Sequence, residues 1–493
     1  MLPVKPAAPV VCRNLIGGQW QDPAGQRFTN VISPWYGTVV GRVALSQSDD
    51  LDAAVAAATG AAGDWRRMPI KERSLPLFRY RELLLSHQEE IAILAALESG
   101  KTPAEARAGL LKGIEVIEYA LSLQNIAAGA RMMVSRGVYC ESRRDPLGVV
   151  AGITPFNFPA MVPLWMYPIA LMMGNCFILK PSEKVPLTSD FCGRLMVEAG
   201  FPPGTFSVLH GDREMATGLL QHQGVRALAF VGSTPVARRI FTDPAAATKP
   251  VLALGGAKNH MILVPDADPE IAVSGILGSF TGCAGQRCMA GSVLVVVGDC
   301  TDTIARLESR AAAIRPGEDM GAIISAASLQ RINGIIGDAL SQGAGALVDG
   351  RQSLPADRNL HQGFWTGPTI LDQVRPEMSC YSEEIFGPVL SVLRVPDLSA
   401  AIDLVNGNPW GNATSIFTGN PAVAERVAGE VKSGMIGINV GVPVPREPFS
   451  FGGTGESRFG AGDITGEAGM LFWSEQRKIT SKWSTAADNN WMS

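Results

Sequence analysis

The chain has 493 residues, 46 acidic and 42 basic, for a formal net charge of -4 at pH 7. That even balance lacks the basic stripe a dedicated nucleic-acid binder needs, and a chain 46% apolar and 18% charged carries too much core-forming material to be disordered. The length gives an expectation of about three domain-sized units.

Chemistry that depends on metal or disulfides has little to build on. The eight cysteines, at 12, 140, 176, 192, 283, 288, 300 and 380, form no CxxC pair and no dense framework, which reads as free thiols in a reducing, cytoplasmic setting. The five histidines form no HxxxH and no Cys/His cluster, so no metal is expected. The N-terminal stretch MLPVKPAAPVVCRNLIGGQW holds no apolar run of signal-peptide length.

In chain order, a Gly/Pro-punctuated segment of alternating apolar positions comes first. Ser48, Asp49 and Asp50 then cap an alanine-rich helix over 51–62. Helical periodicity continues over 75–97 and 104–123. From Gly148 the texture changes to short apolar runs, GVVAGITPF, CFILKPS, FSVLHG and ALAFVGS, each followed by a helix-length stretch. This β-α alternation predicts a parallel sheet covered by helices. The apolar run 160–179 is interrupted by Pro163, Pro168 and Gly174-Asn175, which fits a buried helix followed by a buried strand better than a membrane span. A second series, with MILV, SVLVVVG, GALVDG and VLSVLRV as strands, predicts a second α/β domain. The tail MLFWSEQRKITSKW reads as a strand that pairs outside its own domain.

Parallel sheets bind ligands beyond the carboxyl ends of their strands, so strand ends carry the candidate chemistry. Thr154-Pro155-Phe156-Asn157 ends the first run, and the Asn157 amide can donate to an oxygen that gains negative charge; taken alone, an Asn between prolines is more often a turn residue. Lys180 and Glu183, after CFIL, can hold the two hydroxyls of a ribose or form a plain surface ion pair. Gly232-Ser233-Thr234 leads into a helix and offers backbone N–H groups to a phosphate, or simply caps that helix. No G-x-G-x-x-G occurs. In Gly282-Cys283-Ala284-Gly285-Gln286-Arg287-Cys288, a glycine-rich turn projects a thiol beside a cation that favours the thiolate, although a lone cysteine is more often inert and buried.

Together and in this order, TPFNFP, GNCFILKPSE, FVGST, LGGAK, GQRC, EEIFGPVL and the closing PFSFGG to ITSKW resemble the aldehyde dehydrogenase superfamily over nearly the whole chain. The resemblance implies an α/β fold of two parallel-sheet domains with a small β oligomerisation arm. The NAD-binding domain would be 1–124 and 146–254, the catalytic domain 255–445, and the arm 125–145 and 468–493. It implies Cys288 as nucleophile and Asn157 as oxyanion donor. Thr154 and Phe156 would line the cofactor cleft, Lys180 and Glu183 hold the adenosine ribose, Gly232 and Ser233 the pyrophosphate, and Glu384 with Phe386 the nicotinamide ribose and its surroundings. Glu183 competes with a 2′-phosphate, so NAD is expected over NADP.

The wording of FNFPAMVPLWMYPIALMMGN, GAKNHMILVPDAD, AGQRCMA and VPVPREPFSF is similar to the methylmalonate-semialdehyde dehydrogenases, the CoA-acylating branch. Hydrolytic members place a glutamate before the LGGK-like turn to activate water; 251–257 here holds nothing ionisable. General-base help is worth about 10²–10⁴-fold, so coenzyme A becomes the expected acceptor, with a free acid as the alternative product. Arg287 is the candidate cation for a substrate carboxylate, or else binds backbone carbonyls of its own loop. Lys112 stands where those relatives carry an arginine, and Trp165 and Tyr167 are candidate tunnel walls or core residues. A small aldehyde as substrate and a homodimer or homotetramer are expected, with neither nucleic acid nor membrane as partner.

Overall fold

The computed structural model describes residues 2–483; the 484–493 part of the expected arm lies outside the described residues. The short apolar runs form the centres of two sheets. In the first, the parallel strands Val149–Ile153, Cys176–Lys180, Phe206–Val208, Leu228–Val231 and Val251–Leu254 are buried along their whole length. Burial on both faces is why they read as continuous apolar runs rather than alternating ones. Their spatial order runs outward from Val149–Ile153 in two directions, through Cys176–Lys180 to Phe206–Val208 on one side and through Leu228–Val231 to Val251–Leu254 on the other. Connections leave in opposite directions at Val149–Ile153, and a crevice opens at such a reversal.

Late chain closes this sheet. The two-residue strand Arg458–Phe459 pairs antiparallel with Val251–Leu254, so a segment beyond 445 completes the sheet built mostly before 254. The second sheet has seven strands with Asn259–Leu263 between Gly291–Val297 and Ala413–Phe417. Its strands are parallel except for the edge pair Gly345–Val348 and Thr369–Asp372. A separate three-stranded antiparallel sheet joins Ala130–Ser135, Val138–Pro146 and Ser474–Lys482.

The helical layer differs from the sequence expectation at two points. The helix expected over 51–62 is Ser48–Arg67: Gln47, not Ser48, is its N-cap, and Asp50 sits in the first turn, accepting from the Gln47 N–H. The periodicity over 75–97 is two helices, Ile70–Ser86 and Gln88–Ser99, meeting at His87 with φ -102 and ψ 16. The next helix, Pro103–Ile126, starts on a capping box in which Thr102 and Glu105 satisfy each other's backbone N–H. Run 160–179 is a buried helix, Met161–Met172, and the strand Cys176–Lys180. Asn175 between them accepts from the N–H groups of Leu147 and Gly148 and donates to the carbonyls of Ala170 and Trp473. Among the described residues no helix is long and apolar enough to cross a membrane. The tail MLFWSEQRKITSKW is not all strand: its first residues end the helix Gly466–Phe472 and only Ser474–Lys482 is extended.

Candidate active site

A cleft of about 970 Å³ lies over the carboxyl ends of the first sheet and reaches the second. Thr154, Phe156 and Asn157 line it from the strand at the reversal, Lys180 and Glu183 from the neighbouring strand, and Gly232 and Ser233 from the strand on the other side; Cys288, Glu384 and Phe386 reach in from the second domain. Seven of these ten positions reach the cavity because they lie at or just after strand ends of the first sheet, whereas Cys288, Glu384 and Phe386 lie in loops that precede the strands Gly291–Val297 and Val389–Val395.

At the cofactor end, Lys180 is buried, and its ammonium has only long contacts, 3.2 Å to the Pro181 carbonyl and 3.4 Å to Glu183. Burial pulls its pKa down, with Glu183 opposing. Ser233 is the N-cap of the helix Thr234–Thr242 and makes no capping hydrogen bond with its side chain, which leaves the helix N-terminus and its hydroxyl available to an anion. Thr234 is engaged instead: its hydroxyl oxygen accepts from the Gly256 N–H at 2.9 Å and from the Trp410 indole at 3.1 Å. A buried ammonium, a carboxylate beside it and an unfilled helix N-terminus in one elongated cleft fit a dinucleotide such as NAD.

At the other end the loop that carries Cys288 is held from several sides. Cys283, Ala284 and Gly285 all have left-handed backbone, φ 54, 51 and 68, a conformation that L side chains adopt only at a cost of order 1–3 kcal/mol each. Surrounding bonds impose it. Glu105 accepts from the Cys283 N–H at 2.6 Å, and the Gln286 side chain donates to the Ala322 carbonyl while accepting from the Ile324 N–H. The Asn157 amide donates to the Gln286 carbonyl at 3.0 Å, which uses one of its two N–H groups and leaves the other for a ligand. The Cys288 carbonyl accepts from two side-chain amides, Asn259 at 2.7 Å and Asn412 at 2.8 Å. Burial pushes the Cys288 thiol up to about 12, Glu384 adding to the rise and Arg287 and Lys101 opposing it.

Glu384 lies flat on the turn at 251–257. It accepts from the Ala257 N–H at 2.9 Å, and a Cβ on Gly256 would meet its carboxylate at 2.3 Å. Burial raises its pKa. Phe386, with φ 53, stacks edge-on against Phe156 at 5.7 Å. Glu467 lies in the helix Gly466–Phe472 and Glu475 opposite Asp145 in the three-stranded sheet, and neither lines the cleft.

The three expected substrate residues do not line this cleft. The Arg287 guanidinium donates to the carbonyls of Gly278 and Ser279 at the end of the helix Pro269–Thr281. Lys112 is paired with Glu115 at 2.5 Å. Trp165 is buried against Phe451, ring centroids 4.5 Å apart, and Tyr167 shares a 2.6 Å hydrogen bond with Tyr80 in the core. Asn259, Asn412, Gln286 and Glu105 were not legible as site residues, because nothing near each in sequence marks its partner more than a hundred residues away or across a loop.

Comparison with known proteins agrees with this geometry. The sequence pattern of the aldehyde dehydrogenase family matches residues 20–479. The chain is 42% identical over 485 residues to the malonate-semialdehyde dehydrogenase of Pseudomonas aeruginosa, covering 97% of each. It is 40% identical to a Dictyostelium discoideum protein named "Probable methylmalonate-semialdehyde/malonate-semialdehyde dehydrogenase [acylating], mitochondrial", over 95% of this chain and 90% of that one. A Sinorhizobium meliloti 1021 protein, provisionally named methylmalonate-semialdehyde dehydrogenase and solved with NAD, superposes with a TM-score of 0.95 at 36% identity, over 98% of this chain and 100% of its own. With the family pattern over residues 20–479 and relatives at 40% identity or more along nearly the whole chain, the chain belongs to the aldehyde dehydrogenase family.

Proposed function

We propose that the enzyme oxidises malonate semialdehyde or its methyl homologue with NAD and passes the acyl group from Cys288 to coenzyme A with loss of CO2. The observation that carries the acyl-transfer reading is the turn at 251–257, which has no ionisable side chain and is covered by a carboxylate already accepting a backbone N–H. The relatives' names support the substrate class.

In this reading Lys180 and Glu183 bind the adenosine ribose, Gly232 and Ser233 the pyrophosphate, and Glu384 the nicotinamide ribose, with Thr154, Phe156 and Phe386 as walls. The Cys288 thiolate adds to the aldehyde carbon. The second N–H of Asn157 and the Cys288 backbone N–H hold the resulting oxyanion. NAD supplies the hydride acceptor. Collapse of the oxyanion leaves a thioester on Cys288, whose carbonyl is an electron sink for the electron pair released as the β-carboxylate departs as CO2; a proton then fills the carbon. The thiolate of coenzyme A attacks the thioester carbonyl and Cys288 leaves as thiolate.

Eight free cysteines suit a reducing cytoplasm. The exposed Met132, Met133 and Val134 on the edge strand Ala130–Ser135 support sheet-mediated assembly into a dimer or tetramer. The test is NADH formation from a panel of aldehydes with and without coenzyme A, with the acyl product identified by mass. Fast turnover only with coenzyme A, giving acetyl-CoA or propionyl-CoA, is expected; equal turnover giving a free acid would overturn acyl transfer.

A further inference from the structure

Lys258, Asn259 and His260 run from the turn at 251–257 into the central strand Asn259–Leu263 of the second sheet, and all three are buried. Successive side chains on extended backbone point to opposite sides. Asn259 points to one side, where its amide donates to the Cys288 carbonyl at 2.7 Å and the Ala290 carbonyl at 3.0 Å and accepts from the Ala413 N–H at 3.0 Å. Lys258 and His260 contact the segment at 380–384. The Lys258 ammonium donates to the Cys380 carbonyl at 2.7 Å and the Glu383 carbonyl at 2.8 Å. The His260 ring bridges the Lys258 carbonyl, 2.9 Å from Nδ1, and the Tyr381 hydroxyl, 3.3 Å from Nε2.

We propose that Lys258 and Asn259 are paired positioning residues: Asn259 sets the nucleophile loop through the Cys288 carbonyl, and Lys258 sets the Glu384 loop through the Cys380 and Glu383 carbonyls. The two loops touch directly, since a Cβ on Gly285 would lie 2.1 Å from the Gly387 carbonyl, and adjacent residues at the start of one buried strand each hold one side of that contact. The hydrogen bonds from Lys258 are charge-assisted and made away from water, where such bonds are strongest. The proposal rests on the roles given above to Cys288 and Glu384.

Lys258 also carries a pH signature. Burial pulls its pKa down to about 8, opposed by Cys380, Glu384 and Glu383 and reinforced by Arg331. The other groups facing it are settled: His260 is held neutral, its pKa near 3 through burial, and Arg331 donates to the Glu384 and Ile385 carbonyls from the outer side. Above pH 8 the ammonium loses its charge and its hold on the loop weakens.

The test uses the full-length enzyme and two readouts. Acylation of Cys288 by 4-nitrophenyl acetate, read as the nitrophenolate burst, needs no cofactor; the KM for NAD reads the Glu384 loop. Asn259→Ala is expected to slow the burst about tenfold with KM for NAD within about twofold, and Lys258→Met to raise KM for NAD about tenfold with the burst within about twofold. In the wild type KM for NAD rises above pH 8, and Lys258→Arg, whose cation does not titrate there, removes the rise. Equal effects of the two variants on both readouts, or a rise that persists in Lys258→Arg, would overturn the proposal; the arginine variant decides it if the others fail to fold. A burst unaffected by Cys288→Ala would instead sink the assignment of the nucleophile, a result distinct from failure of the pairing.

Discussion

The two ends of the cleft are built in opposite ways. Around Cys288 the backbone is strained and nearly every polar group is spoken for: two amides on one carbonyl, a glutamate on the Cys283 N–H, and the Asn157 amide half used. Around Lys180 and Ser233 the contacts are long or absent, and the helix N-terminus has no side-chain cap. Where bonds must be made and broken, donors already fixed in place cost no reorganisation in the transition state. Where a ligand must enter and leave each cycle, groups that the ligand itself satisfies give specificity without a rigid cage. Under the proposed function, the contrast separates the residues that would set rate from those that would set cofactor choice.

It can be broken at several points. Asn157→Ala removes the pre-oriented amide and is expected to lower kcat by about 10²–10³-fold with KM for NAD little changed; a loss confined to KM in steady-state kinetics would place Asn157 at the wrong end. Next in size is the pH response of Cys288. With the thiol raised to about 12, the thiolate fraction between pH 7 and 9 grows about tenfold per unit, so iodoacetamide alkylation of Cys288 in the cofactor-free enzyme, followed by peptide mass, is expected to climb at that slope. A plateau reached by pH 8 would mean the buried sulfur is compensated by more positive charge than Arg287 and Lys101 provide. Glu183→Ser tests the permissive end: the ratio of kcat/KM for NAD to that for NADP is expected to fall about tenfold, with kcat for NAD retained. Smallest is Lys112→Met. Its charge is already neutralised by Glu115 and the pair is about a third exposed, and such pairs contribute little, so KM for malonate semialdehyde is expected to change less than about threefold; a larger rise would bring Lys112 to the substrate.

Much of the permissive end was legible in the sequence, and less of the locked end. Lys180, Glu183, Gly232 and Ser233 each follow an apolar run whose continuity comes from burial on both sheet faces, so strand, strand end and ligand position are local signals. Cys288 was marked by its glycines and its arginine. What holds Cys288 was not: Asn259 and Asn412 lie 29 and 124 residues away, and an asparagine does not announce which carbonyl it will meet. For Arg287 the sequence left two roles open, a substrate carboxylate or backbone carbonyls, and its guanidinium donates to helix carbonyls. The break at His87 escaped the periodicity because the apolar spacing runs on across it. The pairing of Arg458–Phe459 with Val251–Leu254 also had no local sign, two residues being too short for any pattern.

That last pairing has a consequence for how the chain is made. The second sheet draws on residues 259 to 438, so all its strands have left the ribosome before the first sheet has its outermost partner. The earlier-synthesised sheet therefore waits with the edge of Val251–Leu254 unpaired while about 200 further residues emerge, a separation that slows closure and exposes a strand edge to wrong partners. Order of synthesis and order of completion are reversed: the sheet begun first is finished last.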